Sequence, residues 1–291
     1  MKIGNGSCNG TFGELVQGII EDRPFLITLP IPSLQSEARF VPEPAVTGVR
    51  VVDSKIKAKK AGESLLQLFG IKGGGYLDIH SNITAGKGLA SSSADIVAAL
   101  RAIADSYSLP LTNEIISMIA AKVEPTDGVM YEEVVAYDYI NGELIESFGS
   151  LPPFILVGID FGGTVNTIQF NQVPKAYTDA DQQQFNEAYQ LVKKGFKDQN
   201  ITDIGQAATM SAMVNQKILA NPFFPQLEKL AHRYQGGIVV AHSGTVAGIL
   251  LEGNIANRDE AVSHLLREMS LVLEGDDHNL FHYENKGKII I

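Results

Sequence analysis

Asn82-Ile83-Thr84-Ala85-Gly86-Lys87-Gly88-Leu89-Ala90-Ser91-Ser92-Ser93-Ala94-Asp95 sets a glycine-rich turn, a lysine and three consecutive hydroxyls directly before an apolar-periodic segment. After Asp95, the residues Ile96, Ala99, Leu100, Ile103, Ala104 and Tyr107 recur at helical spacing, which predicts a helix with the serines in its N-cap. The first turn of a helix leaves backbone N–H groups without intrahelical partners and carries the positive end of the macrodipole. Glycines beside such a turn admit close approach of an anion to the backbone. The stretch reads as a phosphate cradle or, more plainly, as a capped surface helix after a glycine turn. It is neither the G-x-x-x-x-G-K-[ST] loop nor the G-x-G-x-x-G fingerprint.

Around this stretch the first half mixes strands and helices. Arg23 to Ile31, Gly48 to Val52 and Tyr76 to Ile83 read as β, the last feeding the glycine turn; Lys59 to Phe69 and Asn113 to Val123 read as helices. The second of these should stop at Glu124-Pro125, because the residue before a proline is pushed out of the helical region. Tyr131 to Tyr139 and Glu143 to Phe148 then read as strands, joined at Asn141-Gly142 by a type I′ hairpin. Leu151-Pro152-Pro153 marks the expected boundary between a domain of residues 1–150 and one of residues 151–291. In the second half Phe154 to Asp160, Gly237 to Ala241, Val246 to Leu251 and Lys288 to Ile291 read as strands. Ala180 to Phe196, Ile204 to Leu219, Pro225 to Tyr234 and Asp259 to Met269 read as helices. The expected class is α+β.

Composition narrows the partners. The chain has 33 acidic against 23 basic residues, a net charge of −10, which argues against nucleic acid, whose phosphates demand basic patches. No apolar run approaches a membrane span and no secretory h-region opens the chain, so a cytoplasmic protein acting on a small molecule is expected. The single cysteine, Cys8, excludes an internal disulfide and is given no catalytic role. The histidines show no zinc-binding spacing.

Three further constellations carry chemistry. Cys8-Asn9-Gly10-Thr11-Phe12-Gly13-Glu14-Leu15-Val16-Gln17-Gly18 gathers glycines around one carboxylate; Glu14 is presented to a substrate, or is the solvent-facing residue of a bulged strand. Val123-Glu124-Pro125-Thr126-Asp127-Gly128 sets two carboxylates about a rigid proline just past a helix, suited to Mg²⁺ and proton chemistry, and equally to an ordinary turn. Ala241-His242-Ser243-Gly244-Thr245-Val246-Ala247-Gly248 joins two β-like runs as a hairpin would.

Taken together and in this order, these motifs resemble the GHMP kinases, whose central ATP motif is P-x-x-x-G-L-x-S-S-A. Gly88, Leu89, Ser91 and Ser92 match it, while Thr84 and Ser93 stand for its proline and final alanine. The runs G-T-x-G-E-L-V-Q-G, E-P-T-D and A-H-S-G-T-V-x-G, with Ala207 to Ser211, are similar to the L-threonine kinases of cobalamin biosynthesis. Those enzymes usually carry proline and cysteine at the positions of Asn9 and Phe12, close to the expected substrate pocket. The resemblance implies a two-domain architecture, a ribosomal protein S5 domain 2-like N-terminal domain followed by a ferredoxin-like C-terminal domain, with the active site between. It implies ATP and Mg²⁺ as cofactors and phosphorylation of L-threonine to O-phospho-L-threonine. The phosphates would be held by Gly86, Lys87, Gly88, Leu89, Ala90, Ser91, Ser92 and Ser93, with Lys87 offsetting their charge. Ser92 and Glu124 would hold Mg²⁺, Asp127 would be the base, and Glu14, Ser243 and Gly244 would face the acceptor. Homoserine or another small amino alcohol is the alternative acceptor, and a catalytically silent small-molecule-binding member the alternative class. Oligomeric state is left open, a homodimer included.

Overall fold

The computed structural model describes residues 1–165, 170, 175–272 and 280–285. The chain opens with a long antiparallel pair, β1 (Gly4–Ile20) and β2 (Arg23–Glu43), followed by β3 (Gly48–Arg50), α1 (Ile56–Leu68), β4 (Gly74–Ser81), α2 (Ser91–Tyr107), α3 (Asn113–Val123), β5 (Val134–Asp138) and β6 (Glu143–Gly149). After the prolines come β7 (Phe154–Asp160), α4 (Asp179–Lys197), α5 (Ile201–Asn215), α6 (Phe224–Tyr234), β8 (Gly237–Val240), β9 (Val246–Glu252), α7 (Arg258–Val272) and β10 (Leu280–Asn285). The strand expected at Lys288 to Ile291 lies outside the described residues. Most expected elements are present within a few residues of their bounds.

One sheet runs through these elements in the order β10-β7-β9-β8-β1-β2-β4-β3, with β5 on β2 and β6 on β5. The join between its halves is narrow: β1 meets β8 where Glu14 pairs with Val240. α2 lies on β1 and β2 and buries almost every residue from Ser93 to Ala104. It can do so because β1 offers no side chain at Gly4 and Gly6, where a Cβ would come within 2.1 Å of the Ala102 carbonyl and 2.3 Å of the Ala98 carbonyl. In the second half the period-2 alternation of β7 divides its side chains. Ile155, Val157 and Ile159 pack with α6 and α7, while Leu156 joins the cluster that contains Ile204 and Ala208 of α5.

Two local expectations are corrected. The β5–β6 hairpin exists, but its loop spans residues 139–142, and of these only Gly142 has positive φ, 74°. The cause is Asp138, whose carboxylate accepts from the Ile140 and Asn141 amides and from the Asn141 side chain, building a wider turn than Asn-Gly alone would make. The tight two-residue turn with both φ positive sits between β1 and β2, at Glu21 (48°) and Asp22 (62°).

Phe12 is the second correction. It is fully buried and does not line a substrate pocket. Its ring meets Phe281 and Tyr283 of β10 edge-on at 5.8 and 6.2 Å and presses on Gly158, where a Cβ would stand 2.3 Å away. Asn9 is exposed and accepts from the Gln35 side chain. Phe12→Ala should therefore cost about 3–5 kcal/mol in urea unfolding, the range for a buried phenylalanine. A loss under about 1 kcal/mol, as for an exposed site, would contradict this packing.

Candidate active site

The segment 84–90 leaves β4 and enters α2 through left-handed backbone at Gly86 (φ 75°), Gly88 (83°) and Ala90 (59°). Ala90, not a serine, is the N-cap, and no side chain caps the turn. The serines expected in the N-cap are instead the first three helical residues, because the left-handed turn at Ala90 starts the helix earlier, at Ser91. The four carbonyls from Gly86 to Leu89 are all engaged. Thr11 and Gly13 of β1 donate to Leu89 and Gly88, Thr245 donates to Lys87, and Val165 donates to Gly86, at 3.1 to 3.3 Å. Gly244 lies so close that a Cβ there would stand 2.4 Å from the Gly88 nitrogen. With its carbonyls consumed and its helix end uncapped, the segment offers N–H groups to an anion.

A cavity of about 650 Å³ opens against this helix end. Gly86, Gly88, Leu89, Ala90, Ser91, Ser92 and Ser93 line it, and so do Glu14, Glu124, Asp127 and Ser243. Two expected residues do not line it. Lys87 turns its ammonium to Asp160, at 2.6 Å, and to the Gly163 carbonyl, at 2.8 Å, so it ties the loop to the end of β7. Gly244 is the packing surface for Lys87 and Gly88 rather than a wall for an acceptor.

The turn after α3 supplies the carboxylates. Glu124 takes extended backbone before Pro125, ending the helix where expected. The Ser92 hydroxyl donates to Glu124 Oε1, and the Lys57 ammonium holds Oε2 at 2.5 Å. Asp127 is locked to the same helix turn, since Ser93 Oγ donates to its carboxylate at 3.0 Å and accepts from its amide at 3.2 Å. Desolvation in this recess pushes Asp127 up to about 6, against the lowering effect of Ser93 and with help from the Glu124 charge. That is a carboxylate more basic than usual.

Glu14 is on a strand, as the plainer alternative had it, but it does not face solvent. Register breaks on either side of it, with Gly13 at φ 62°, turn its side chain inward, where it is 4% exposed. Its Oε2 and the Thr126 hydroxyl, both buried, have no hydrogen-bond partner among the described residues. Burial, and then the Asp127 charge, hold the Glu14 carboxyl well above the usual range.

Sequence reasoning passed over two lysines at the start of α1. Lys57 reaches Glu124, and Lys55 holds Asp95 at 2.5 Å while Ser36 donates to the other Asp95 oxygen. Both lysines line the cavity. The run Lys55-Ile56-Lys57-Ala58-Lys59-Lys60 in an acidic chain was the available signal. Among the described residues no group of three or more His, Cys, Asp or Glu gathers to hold a metal, and no helix is long and apolar enough to cross a membrane.

Comparison with known proteins agrees with this geometry. Residues 56–130, from α1 through the turn containing Glu124 and Asp127, match the GHMP kinases N terminal domain. The chain is 25% identical to an L-threonine kinase of Citrobacter freundii over 286 residues, 96% of this chain and 97% of that one. It is 27% identical to an L-threonine kinase of Salmonella typhimurium, covering 86% of this chain and 84% of that one. Among solved structures, homoserine kinase from Cytophaga hutchinsonii superposes with a TM-score of 0.70 at 14% identity, covering 98% of this chain and 94% of that one, a likeness of fold. Residues 56–130 thus match the N-terminal domain of the GHMP kinases, and the chain as a whole shares the α+β fold of solved kinases of that family.

Proposed function

We propose that the protein transfers the γ-phosphoryl group of Mg-ATP to the side-chain hydroxyl of L-threonine, giving O-phospho-L-threonine and ADP. The observation that carries this reading is one cavity in which an uncapped helix N-terminus, the Ser92–Glu124 pair and the Asp127 carboxylate meet. The similarity to L-threonine kinases over most of the chain supports the acceptor, and the resemblance to those of cobalamin biosynthesis extends the reading to that pathway.

The N–H groups of Ser91 to Ser93 bind phosphate oxygens where the helix dipole favours negative charge. Ser92 Oγ and Glu124 are a pair of hard oxygens that fits Mg²⁺ and would hold it beside the phosphates. When bound there, Mg²⁺ offsets charge on the β- and γ-oxygens. Lys57, displaced from Glu124, is free to turn to the phosphates. Asp127 accepts the acceptor hydroxyl's proton as that oxygen bonds to the γ-phosphorus and the bond to the β–γ bridging oxygen breaks. Positioning and charge stabilisation carry most of the catalysis.

A ³¹P NMR time course with protein, Mg-ATP and L-threonine should show a phosphomonoester resonance growing with that of ADP. No transfer to L-threonine, L-serine or L-homoserine at millimolar acceptor would overturn the reading, and faster transfer to L-homoserine would overturn the acceptor alone. Asp127→Asn keeps shape and removes the base, so turnover should fall by on the order of 10²-fold or more with little change in ATP affinity. Unchanged turnover would reduce Asp127 to a turn residue. Ser92→Ala removes one metal oxygen, and its rate should saturate only at higher Mg²⁺; an unshifted Mg²⁺ dependence would contradict that role.

A further inference from the structure

Beside Glu14 the cavity meets a second buried polar chain that none of the steps above uses. Gln17, three residues along β1 and 5% exposed, is clamped at its backbone by Ser211 of α5, whose hydroxyl accepts from the Gln17 amide at 2.9 Å and donates to its carbonyl at 3.1 Å. Its side-chain oxygen lies 2.6 Å from His242 Nδ1, and the other imidazole nitrogen, Nε2, lies 3.0 Å from Lys175 Nζ. An ammonium only donates, so Nε2 is the accepting nitrogen and the proton sits on Nδ1, donated to Gln17. Burial, and then the Lys175 charge, hold His242 well below its usual range and therefore neutral. The Gln17 Nε2 group is buried without a hydrogen-bond partner among the described residues, as is Glu14 Oε2.

The groups that hold the Lys175 ammonium among the described residues are neutral. The ammonium lies 3.3 Å from the Tyr139 hydroxyl and 4.5 Å from the centre of the Phe170 ring, and among the described residues no carboxylate lies within ion-pair distance of it. Desolvation alone lowers it to about 8. Three donors and two accepting partners leave one N–H over. Both partners, Tyr139 and His242, line the cavity, as do Glu14 and Ser243. Glu14 Oε2, unpaired among the described residues, belongs to a lining residue, and the Lys175 ammonium and the Gln17 amide stand one side chain behind the lining, against Tyr139 and His242.

We infer that Lys175, held in place by Tyr139 and His242, binds the α-carboxylate of the acceptor, so that the site selects a zwitterionic α-amino acid. The acceptor's ammonium lies at Glu14 and its side-chain hydroxyl at Asp127, and Gln17 Nε2 adds a neutral donor on the carboxylate side. This rests on the phosphotransferase reading of the same cavity and adds what the acceptor must carry besides a hydroxyl. A counter-ion brought by the substrate relieves the desolvated lysine, and an acceptor without one leaves it half-buried with no charge opposite it.

The test is steady-state kinetics of wild-type protein, Lys175→Met and Lys175→Arg with Mg-ATP and either L-threonine or L-threonine amide, which keeps ammonium and hydroxyl and loses the carboxylate. For the wild type, KM for the amide should exceed that for L-threonine by about 10- to 100-fold, the worth of a hydrogen bond to a charged group. Lys175→Met should raise KM for L-threonine by a similar factor and leave those for the amide and for ATP nearly unchanged, and Lys175→Arg should recover much of the loss. If Lys175→Met weakens both acceptors alike, Lys175 is a prop for His242 and the inference fails. It fails also if the wild type uses the amide as well as the acid. Should no acceptor be phosphorylated, the kinase reading falls, and calorimetry with the same two ligands decides the inference separately. Lysine-dependent preference for L-threonine over its amide upholds it, and no preference overturns it.

Discussion

Four consecutive carbonyls, from Gly86 to Leu89, are each tied down by an amide from elsewhere in the chain, and the rest of the site depends on that arrangement. Two of the amides belong to β1, one to the loop after β8 and one to the segment after β7, so the glycine turn is shaped jointly by the two halves of the sequence. A peptide whose C=O is engaged on one side presents its N–H on the other, and the uncapped start of α2 continues that surface. The bulged stretch of β1 that supplies Thr11 and Gly13 also turns Glu14 inward. The clamped glycine turn and the inward carboxylate of Glu14 are thus built on one irregular strand.

Charge is arranged around this frame. Lys57 and Lys55 hold Glu124 and Asp95 beside the serines. At the same helix turn, the carboxyls of Glu14 and Asp127 sit in a desolvated recess that raises both, a setting that favours an arriving ammonium or a proton. Such placement of perturbed carboxylates is how one cavity divides binding from proton transfer.

Much of the fold was legible because its signals are local and periodic. Helical spacing after Asp95, the proline after Glu124 and the apolar run of β7 each state their structure within a few residues. The cradle and the Glu124–Asp127 turn could be placed at one site from motif chemistry and order. The rest turned on long-range contacts. Lys87 looked like a phosphate ligand until its ammonium proved to be engaged by Asp160, 73 residues away. Phe12 was expected close to the pocket, and its ring packs against the β10 rings instead. Lys57, Gln17 and Lys175 act through partners that no local pattern names. The Asn-Gly hairpin was misjudged because Asp138, outside the dipeptide, sets the turn.

Site-resolved hydrogen exchange, with and without Mg²⁺ and a non-hydrolysable ATP analogue, tests the central claim most directly. If the glycine turn is preformed by its clamped carbonyls, the amides of Thr11, Gly13 and Thr245 are protected in the free protein. The amides of Ser91, Ser92 and Ser93 then exchange readily in the free protein and slow when the nucleotide binds. Clamp amides that exchange freely until nucleotide is added, or serine amides indifferent to it, would contradict a phosphate cradle built in advance at this helix end.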